Sequence, residues 1–385
     1  MNFDLTADQR LFHSTTREFL EKSVPLDSLR GLAESDAGFD RHWWRGGTEL
    51  GWTAPLIPER LGGGSVSGAP MVDLALVAME FGRAVAPGPL ITGSAAITGL
   101  VRAQDKFADL LGGILTGEAI VAWAHYEPGR GLDAAAKATV AEPDDDGFRV
   151  SGIKDRVESG DQADVFVVDA AGPDGQVQVL ISAEAAGVTV TPTWTLDLVR
   201  RAAQVTFSNV AVGPDSVIQR DPAEAAAASA AQLRVAAALT AAEMAGAAEH
   251  AFATTVQWMF DRYTFGRQLA SYQALKHRMA DNKTWVEACR ATAWAAADSF
   301  PVDNSARETD SSRAHAEAVS VAKSYVGATA PGIVQECVQL NGGIGVTWEH
   351  DLHLYLRRVT LGRALYGTPE EHRRRLTDLL DKKVA

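Results

Sequence analysis

The sequence predicts an α+β protein built in three parts. We expect an N-terminal helical domain over residues 1–118, a central β-barrel or sandwich domain over 119–220 and a C-terminal four-helix bundle over 221–385. Apolar residues recur at helical spacing in the first and last parts and with a period of two between them. With 385 residues, the chain is long enough for two or three domains with a large core.

The first part is predicted to be helical because its apolar side chains fall on one helix face. This spacing runs through Leu11, Phe12, Phe19 and Leu20 and returns over residues 72–81.

The middle part carries short runs of β-branched and other apolar residues, which favour strands. Two sequences rich in Gly, Pro and Asp, at 143–147 and 172–175, predict hairpin turns between such runs. Several short strands at regular spacing are typical of a small barrel or sandwich rather than a parallel sheet. The predicted strands cover residues 121–124, 148–150, 164–168, 177–181, 188–190 and 205–212.

The helical pattern returns after Asp221-Pro222 and continues to the end of the chain. The alanine run 225–228 leads into a long helix predicted over 230–262, whose small residues allow close packing. A further long helix is expected over 307–339. Together these segments predict an all-helical bundle.

Composition narrows the classes of partner. The net charge of −13 disfavours nucleic acid and anionic membranes, because both attract basic surfaces. The only cysteines, Cys289 and Cys337, lie in apolar helical patterns, which favours a reducing compartment and argues against a metal cluster, so we expect no metal. We expect no signal peptide and no membrane-spanning run, and hence a cytoplasmic protein.

Two separated motifs in the last part carry the residue types that bind a dinucleotide diphosphate. The first, Asp-Arg-Tyr-Thr-Phe-Gly-Arg-Gln (261–268), is followed by Ser-Tyr-Gln (271–273). The second is Gln-Leu-Asn-Gly-Gly-Ile-Gly (339–345). A diphosphate favours a guanidinium, a hydroxyl donor and a backbone that approaches closely, which Gly permits.

In this order, and with the α–β–α organisation, the motifs resemble the acyl-CoA dehydrogenase family along essentially the whole chain. The resemblance implies FAD, whose pyrophosphate and adenine end is held by the Arg and Thr before Phe-Gly and by the Gln…Gly-Gly turn across a subunit interface. It therefore also implies a homotetramer or heterotetramer. The residues expected at this end are Arg262, Thr264, Phe265, Gln273, Gln339, Gly342 and Gly343.

The resemblance also places the flavin ring and the substrate against the β part. Trp123, His125 and Tyr126 precede Glu-Pro-Gly-Arg-Gly (127–131) and would face the isoalloxazine, with Gly131 near the acyl thioester. The family usually has Ser after that Gly, whereas this chain has Leu132, which offers no hydroxyl to cofactor or substrate.

A larger departure lies in Gly-Ile-Lys-Asp-Arg-Val-Glu-Ser-Gly (152–160). The family commonly has an aromatic residue and a Thr against the flavin where this chain has Arg156 and Glu158. Arg156 can stack on a ring, but a carboxylate at Glu158 would repel the negative charge of a reduced flavin. The flavin environment is therefore expected to be unusual or shared with another subunit.

The catalytic base is the sharpest departure from the family. Removing the α-proton of an acyl thioester requires a carboxylate, often supplied by Tyr-Glu-Gly-Thr, but here the sequence is Leu-Tyr-Gly-Thr (365–368). Tyr366 thus takes the place of the Glu at the substrate, and Thr368 is expected at the cofactor. A phenol is a poor base at neutral pH.

A second family branch takes its base from the preceding long helix, at the position of Ala236 in this chain. Glu243 lies two turns further, about 10.5 Å along the helix. A carboxylate in such an apolar helix is costly unless it is paired or used. We predict Glu243 as the catalytic base, with a structural ion-pair or pocket residue and an exposed residue as its alternatives.

Three arginines near the Tyr366 loop add charge there. Arg357, Arg358 and Arg363 are expected to meet phosphates or carboxylates of a subunit.

The resemblance implies α,β-dehydrogenation of an acyl-CoA or acyl-carrier thioester, with electrons passed to an electron-transfer flavoprotein. The missing Glu leaves two alternatives open. One is a non-catalytic subunit that completes the FAD site of a heteromeric acyl-CoA dehydrogenase, and the other is a flavin enzyme of another type, such as an oxidase.

Overall fold

A computed structural model describes residues 4–35, 38–131, 137–301 and 310–384. The N-terminal part is helical, as predicted. Thr6 begins its first helix with a capping box, because its side chain accepts from the backbone of Gln9 while the Gln9 side chain accepts from the backbone of Thr6. The helices are α1 (Ala7–Ser23), α2 (Leu26–Ala33), α3 (Arg41–Glu49), α4 (Pro70–Ala84), α5 (Leu90–Leu100) and α6 (Ala108–Leu115).

The middle part is one sheet of eight strands, in the order β6-β7-β3-β2-β4-β5-β8, with β1 paired to β4. Most pairs are antiparallel, and β1 and β2 each run parallel to β4. The strands are β1 (Val121–Ala124), β2 (Val140–Asp144), β3 (Gly147–Glu158), β4 (Val165–Gly172), β5 (Gly175–Ser182), β6 (Val188–Thr193), β7 (Ala202–Val212) and β8 (Val217–Gln219).

All six predicted strands occur, and both predicted hairpin turns join antiparallel neighbours, β2 to β3 and β4 to β5. The sequence missed β2 and β8. Strand β2 contains Pro143 and ends in acidic residues, which weaken a strand pattern, and β8 has three residues. Strand β3 is much longer than predicted and shifts register between Lys154 and Val157, so it continues as far as Glu158.

The last part comprises the helices α7 (Pro222–Asp261), α8 (Gln273–Asp298), α9 (Asp310–Asn341), α10 (Leu352–Ala364) and α11 (Pro369–Val384), with a small hairpin of β9 (Tyr263–Thr264) and β10 (Arg267–Gln268) after α7. Helices α7, α8 and α9 pack on one another, and α10 and α11 pack on α9. These changes of secondary structure fall close to the predicted domain bounds, while the division into domains stays a prediction.

Helix α7 begins earlier than predicted because Asp221 caps it and Pro222 occupies its first position. It is long and apolar enough to cross a membrane, yet 78% of its most apolar window is buried inside the protein, where it packs on α4, α5, α8 and α9. It is therefore a core helix.

Helices α4 and α7 meet backbone to backbone through two glycines. A Cβ on Gly82 would lie 1.9 Å from the carbonyl oxygen of Glu243, and a Cβ on Gly246 would lie 2.0 Å from that of Met79. Such contacts leave no room for a side chain. This close packing of α4 buries the middle of α7, where Glu243 lies.

Candidate functional site

The two predicted diphosphate motifs meet at one cleft of about 530 Å³ between the end of α7, the β9–β10 hairpin and the end of α9. We call it the diphosphate cleft. Five residues predicted for the FAD diphosphate end line it, although the two motifs are more than 70 residues apart. They are Arg262, Thr264, Gln339, Gly342 and Gly343.

The cleft has the polar character that a diphosphate requires. The Arg262 guanidinium lies over the Trp258 ring, 5.8 Å from its centroid, and forms no ion pair with a described carboxylate. Gly342 has a φ of 69°, and at both Gly342 and Gly343 a Cβ would meet no atom within 4 Å, so this backbone borders open space. An unpaired guanidinium beside accessible backbone suits an anionic group.

Two residues predicted at the cofactor, Phe265 and Gln273, do not line the cleft. Phe265 and Gly266 have φ of 52° and 81°, as in the tight two-residue hairpins that join antiparallel strands, and Phe265 is 98% exposed at the tip. Gln273 is exposed at the first position of α8. Their assignments to the cofactor stay predictions, and within this chain neither contributes to the cleft.

A separate group of aromatic side chains forms where the flavin ring is predicted. Trp123 and Tyr366 have parallel rings with centroids 6.5 Å apart, and His125 lies on Trp123 at 4.4 Å. Tyr126 lies 6.2 Å from Tyr366, and the Arg156 guanidinium covers Tyr126 at 4.4 Å. The structure thus brings together four residues predicted at the flavin ring and Tyr366, which is predicted at the substrate.

Beside these rings lies a buried network of three carboxyl groups and two guanidiniums, from Glu158, Asp197, Arg200, Glu243 and Arg358. All five side chains are less than 9% exposed. We call it the carboxyl–guanidinium network. It connects to the aromatic group because the Tyr366 phenol donates to Glu158 Oε2 at 2.9 Å.

Glu243 lies at the centre of this network, held from two directions. Arg200 Nη2 lies 2.6 Å from Oε1 and 2.5 Å from Oε2, and Arg358 Nη1 donates to Oε1 at 2.8 Å. Arg358 also pairs with Asp197. This is the ion-pair alternative for Glu243, because its carboxylate must lose a guanidinium contact before it can reach a substrate. Its role as the base stays a prediction that the geometry disfavours.

Burial and charge act in opposite directions within the network. Burial raises the pKa of Glu158 and so favours its protonated form, although the attraction of Arg200 acts in the opposite direction. Burial alone would lower the pKa of Arg200, but Glu158, Glu243 and Asp197 outweigh it and raise it. A protonated Glu158 carries no negative charge, so the repulsion expected between this residue and a reduced flavin is reduced.

Tyr366 is unsuited to the role of the missing Glu. Burial and the neighbouring Glu158 raise the pKa of its phenol well above the ordinary value, so it stays protonated at neutral pH. Its backbone N–H donates to Tyr126 Oη at 2.6 Å, and its φ is 54°. Thr368 accepts from the backbone N–H of Glu371, and so begins α11. Its predicted cofactor role stays untested.

Two substrate-end residues lie at the edge of the described chain. Gly131 is exposed and ends a described segment. Leu132 falls outside the described residues.

Two buried donor atoms near the rings have no hydrogen-bond partner among the described residues. They are Trp123 Nε1 and Arg200 Nη1. Buried polar atoms are usually paired, so a set of unpaired ones marks a place where a bound group can supply the partners.

Sequence reasoning missed Asp197 and Arg200 and misjudged Arg358, which was expected to meet phosphates or subunit carboxylates. A signal was available. Glu243 lies in an apolar stretch of α7, and a buried carboxylate requires counter-charges. The sequence could not say which arginines supply them, since Arg200 and Arg358 lie 43 and 115 residues from Glu243.

Two family models match the helical parts of the chain. The family model described as "Acyl-CoA dehydrogenase, N-terminal domain" matches residues 6–103, and that described as "Acyl-CoA dehydrogenase, C-terminal domain" matches residues 225–380. A curated relative, acyl-CoA dehydrogenase IpdE2 from Mycobacterium tuberculosis, is 32% identical over 96% of this chain and 96% of its own length. The chain belongs to the acyl-CoA dehydrogenase family.

Solved structures of acyl-CoA dehydrogenases share its fold. A variant of the "Tcur3481-Tcur3483 steroid ACAD" has a TM-score of 0.83 and 29% identity and covers 98% of each chain. A glutaryl-CoA dehydrogenase from Mycobacterium smegmatis in complex with FADH2 has a TM-score of 0.84 and 20% identity, and it covers 99% of this chain and 96% of its own.

FAD is the cofactor of this oxidoreductase family, which acts on CH–CH groups, and the described residues of this acyl-CoA dehydrogenase fit it at both ends. The diphosphate cleft offers the Arg262 guanidinium and open glycine backbone. The ring end offers the unpaired Trp123 Nε1 and Arg200 Nη1 as donors. When bound, FAD supplies the hydride acceptor of the family's chemistry.

Proposed function

We propose that this chain takes part in FAD-dependent α,β-dehydrogenation of an acyl-CoA, and that the electrons leave to a flavoprotein acceptor. The observation that carries the proposal is the meeting of Arg262, Thr264, Gln339 and the Gly342–Gly343 turn at one cleft. The sequence motifs predict these residues at the diphosphate of FAD. Their convergence supports a preserved cofactor site in a family whose members dehydrogenate acyl-CoA thioesters.

In this proposal the residues of the chain bind and orient. Arg262 and the glycine backbone hold the diphosphate, and the rings of Trp123 and Tyr126 border the flavin. Arg156, half exposed on Tyr126, covers the outer side of this group. We propose that a neighbouring subunit completes the site, in a homotetramer or heterotetramer, because the cleft lies at the surface with exposed Phe265 and Ile344 beside it.

A second candidate is a subunit without a catalytic base that completes the site of a base-bearing partner. One observation favours it. The position of the usual Glu is taken by a phenol that donates to Glu158, and the other carboxylate, Glu243, is occupied by two guanidiniums. The steroid acyl-CoA dehydrogenase of 29% identity has a name that joins two chains. In this second candidate, the chain and a different, base-bearing chain together act on a steroid-derived acyl-CoA.

One experiment separates the two candidates. The chain is purified alone, its visible spectrum is recorded after reconstitution with FAD, and bleaching of the flavin by acyl-CoA thioesters is followed anaerobically. The first candidate predicts yellow protein that bleaches. The second predicts flavin that is not reduced until a base-bearing chain is added. Colourless protein in both settings would contradict the two candidates together.

The role of Glu243 can be decided with Glu243→Gln. If Glu243 is the base, the variant keeps its fold and FAD and loses roughly 10²–10⁴-fold in the rate of flavin reduction, as expected for removal of a general base. If Glu243 is structural, the variant loses stability and retains the rate in its folded fraction. Tyr366→Glu is the complementary variant, because it returns a carboxylate to the family position and is expected to create or raise activity.

A further inference from the structure

Lys323 is a buried cation that neither the network nor the diphosphate cleft uses. It lies in the middle of α9 with no exposed surface and forms no ion pair with any carboxylate in the described part of the chain. Burying an unpaired ammonium is costly unless its protons find acceptors. Its acceptors therefore indicate what it does.

All of its acceptors are backbone carbonyls around the Tyr366 turn. Nζ donates to Gly362 at 2.7 Å, to Gly367 at 2.9 Å and to Arg363 at 3.3 Å. Gly362 and Arg363 belong to the last turn of α10, whose carbonyls have no partner within the helix and carry its negative dipole end. One side chain from α9 thus joins the end of α10 to the residue after Tyr366.

The turn between these carbonyls needs such support. Tyr366 has a φ of 54°, in the left-handed region that a residue with a side chain rarely adopts, and Gly367 follows with a φ of 103°. The backbone N–H and carbonyl of Tyr366 itself are bonded to two other side chains. Its N–H donates to Tyr126 Oη, and its carbonyl accepts from His372 Nε2 at 2.9 Å.

We propose that Lys323 is a positioning residue of the ring end: it holds the turn that carries Tyr366 and so sets where the phenol meets Glu158. The three carbonyl contacts act on the backbone on both sides of Tyr366, so they restrain the direction of its side chain. Loss of Lys323 would leave buried carbonyls without donors and free the turn to leave its left-handed conformation.

This arrangement is sensitive to pH, and the sign follows from the burial of Lys323. Burial lowers the pKa of Lys323 to about 7, while in an opened turn that admits water it would return toward 10.5. The closed turn thus binds fewer protons than the open one between these values. The neutral amine keeps two N–H donors for the carbonyls and no longer carries the cost of burying a charge. The contribution of Lys323 to the stability of the closed turn therefore rises as pH increases from about 7 toward 10 and is lowest, and constant, below that window.

The neighbouring charged groups do not compete in this window. Glu371 and His372 face Lys323 from α11, Arg363 faces it from α10, and Arg200 faces it from the segment before β7. Burial lowers the pKa of His372 to about 4, well below this window.

Hydrogen–deuterium exchange of the purified chain tests the proposal without reference to flavin chemistry, so its outcome is independent of the proposed function. Exchange of a peptide covering 362–368 is measured from pH 7 to 9.5 and corrected for the intrinsic pH dependence of exchange. We expect its protection to increase with pH, by at most roughly tenfold per pH unit, with a peptide from 165–172 in β4 as the reference.

Two substitutions on α9 complete the design. Lys323→Met should lower protection of 362–368 and abolish its pH dependence, whereas Val334→Ala, a buried change on the same helix, should retain that dependence. If Lys323→Met does not fold, the wild-type series alone decides. A wild-type turn whose protection is flat between pH 7 and 9.5, or a Lys323→Met turn that keeps the wild-type slope, would overturn the proposal.

Discussion

Arg262 in the diphosphate cleft and the two arginines of the carboxyl–guanidinium network lie in opposite environments. Arg262 lines an open cleft and has no described ion-pair partner, whereas Arg200 and Arg358 are buried between three carboxyl groups. An unpaired guanidinium at a cleft is available to a phosphate, and a buried, paired one is not. The cleft is therefore open to an anionic ligand, whereas the network is part of the buried core.

The contrast explains how one chain can keep a cofactor site and lack a recognisable base. Catalytic carboxylates need an accessible oxygen near the reacting atom. Here Glu158 and Glu243 lie in the network beside the rings, and their oxygens contact Tyr366, Arg200 and Arg358 instead. At the ring end, a carboxylate that is held in a stabilising ion pair is therefore not available as a catalytic base.

The largest expected effect is on the network. Arg358→Met keeps most of the side-chain volume but leaves Asp197 and Glu243 without a shared counter-charge, which should lower the free energy of unfolding by about 3–5 kcal/mol. Chemical denaturation followed by far-UV circular dichroism measures this. The matched control is Arg363→Ala on the same helix, whose pair with Glu370 is half exposed and contributes about 0–1 kcal/mol. Equal losses in the two variants would contradict a buried network.

A smaller effect is expected where the network meets the rings. Tyr366→Phe removes the donor to Glu158 Oε2 and leaves a buried acceptor unpaired, so the free energy of unfolding should fall by about 1–3 kcal/mol. Tyr325→Phe, at a partly exposed position on α9, serves as the control and should change little. A Tyr366→Phe protein as stable as the parent would show that the phenol does not support the network.

The smallest effect concerns pH. Because burial raises the pKa of Glu158, the folded protein holds this proton more tightly than the unfolded chain. Its contribution to stability is therefore present at low pH and is lost as pH rises through the raised pKa. Glu158→Gln mimics the protonated form and should flatten the fall of the urea midpoint as the pH rises above about 4.5, the ordinary pKa of a Glu side chain. A variant with the wild-type slope would assign that slope to other groups.

The sequence predicted the parts of the fold that local patterns encode. The period of two in the middle part, the hairpin turns at 143–147 and 172–175 and the Asp221-Pro222 boundary each depend on neighbouring residues. The predicted start of this helix, at residue 230, lies eight residues after the observed start of α7, because Asp221 caps the helix directly and the alanine run 225–228 is already helical. Strand β2 is not predicted because proline and acidic residues disfavour a strand. Its pairing with β3 nevertheless forms one.

The site was predictable to a different extent in its two regions. Diphosphate residues lie in short motifs, so Arg262 and Gly342 could be chosen without knowing the fold. The network depends on contacts such as Arg358 with Asp197, which are 161 residues apart, and on the register shift in β3 that precedes Glu158. Such pairings follow from tertiary packing, and a single sequence carries no local signal for them.

The most direct test of the account compares two arginines of the same hairpin region in FAD binding. Arg262 lines the diphosphate cleft, while Arg267 lies on the Tyr272 ring, 3.9 Å from its centroid, outside the cleft lining. The affinity for FAD is measured by titration of the apoprotein with flavin fluorescence as the readout. Arg262→Ala should weaken binding by about 1.5–3 kcal/mol, roughly 10- to 150-fold, and Arg267→Ala should leave it within about twofold. Equal affinity in the two variants would contradict the assignment of this cleft to the diphosphate of FAD.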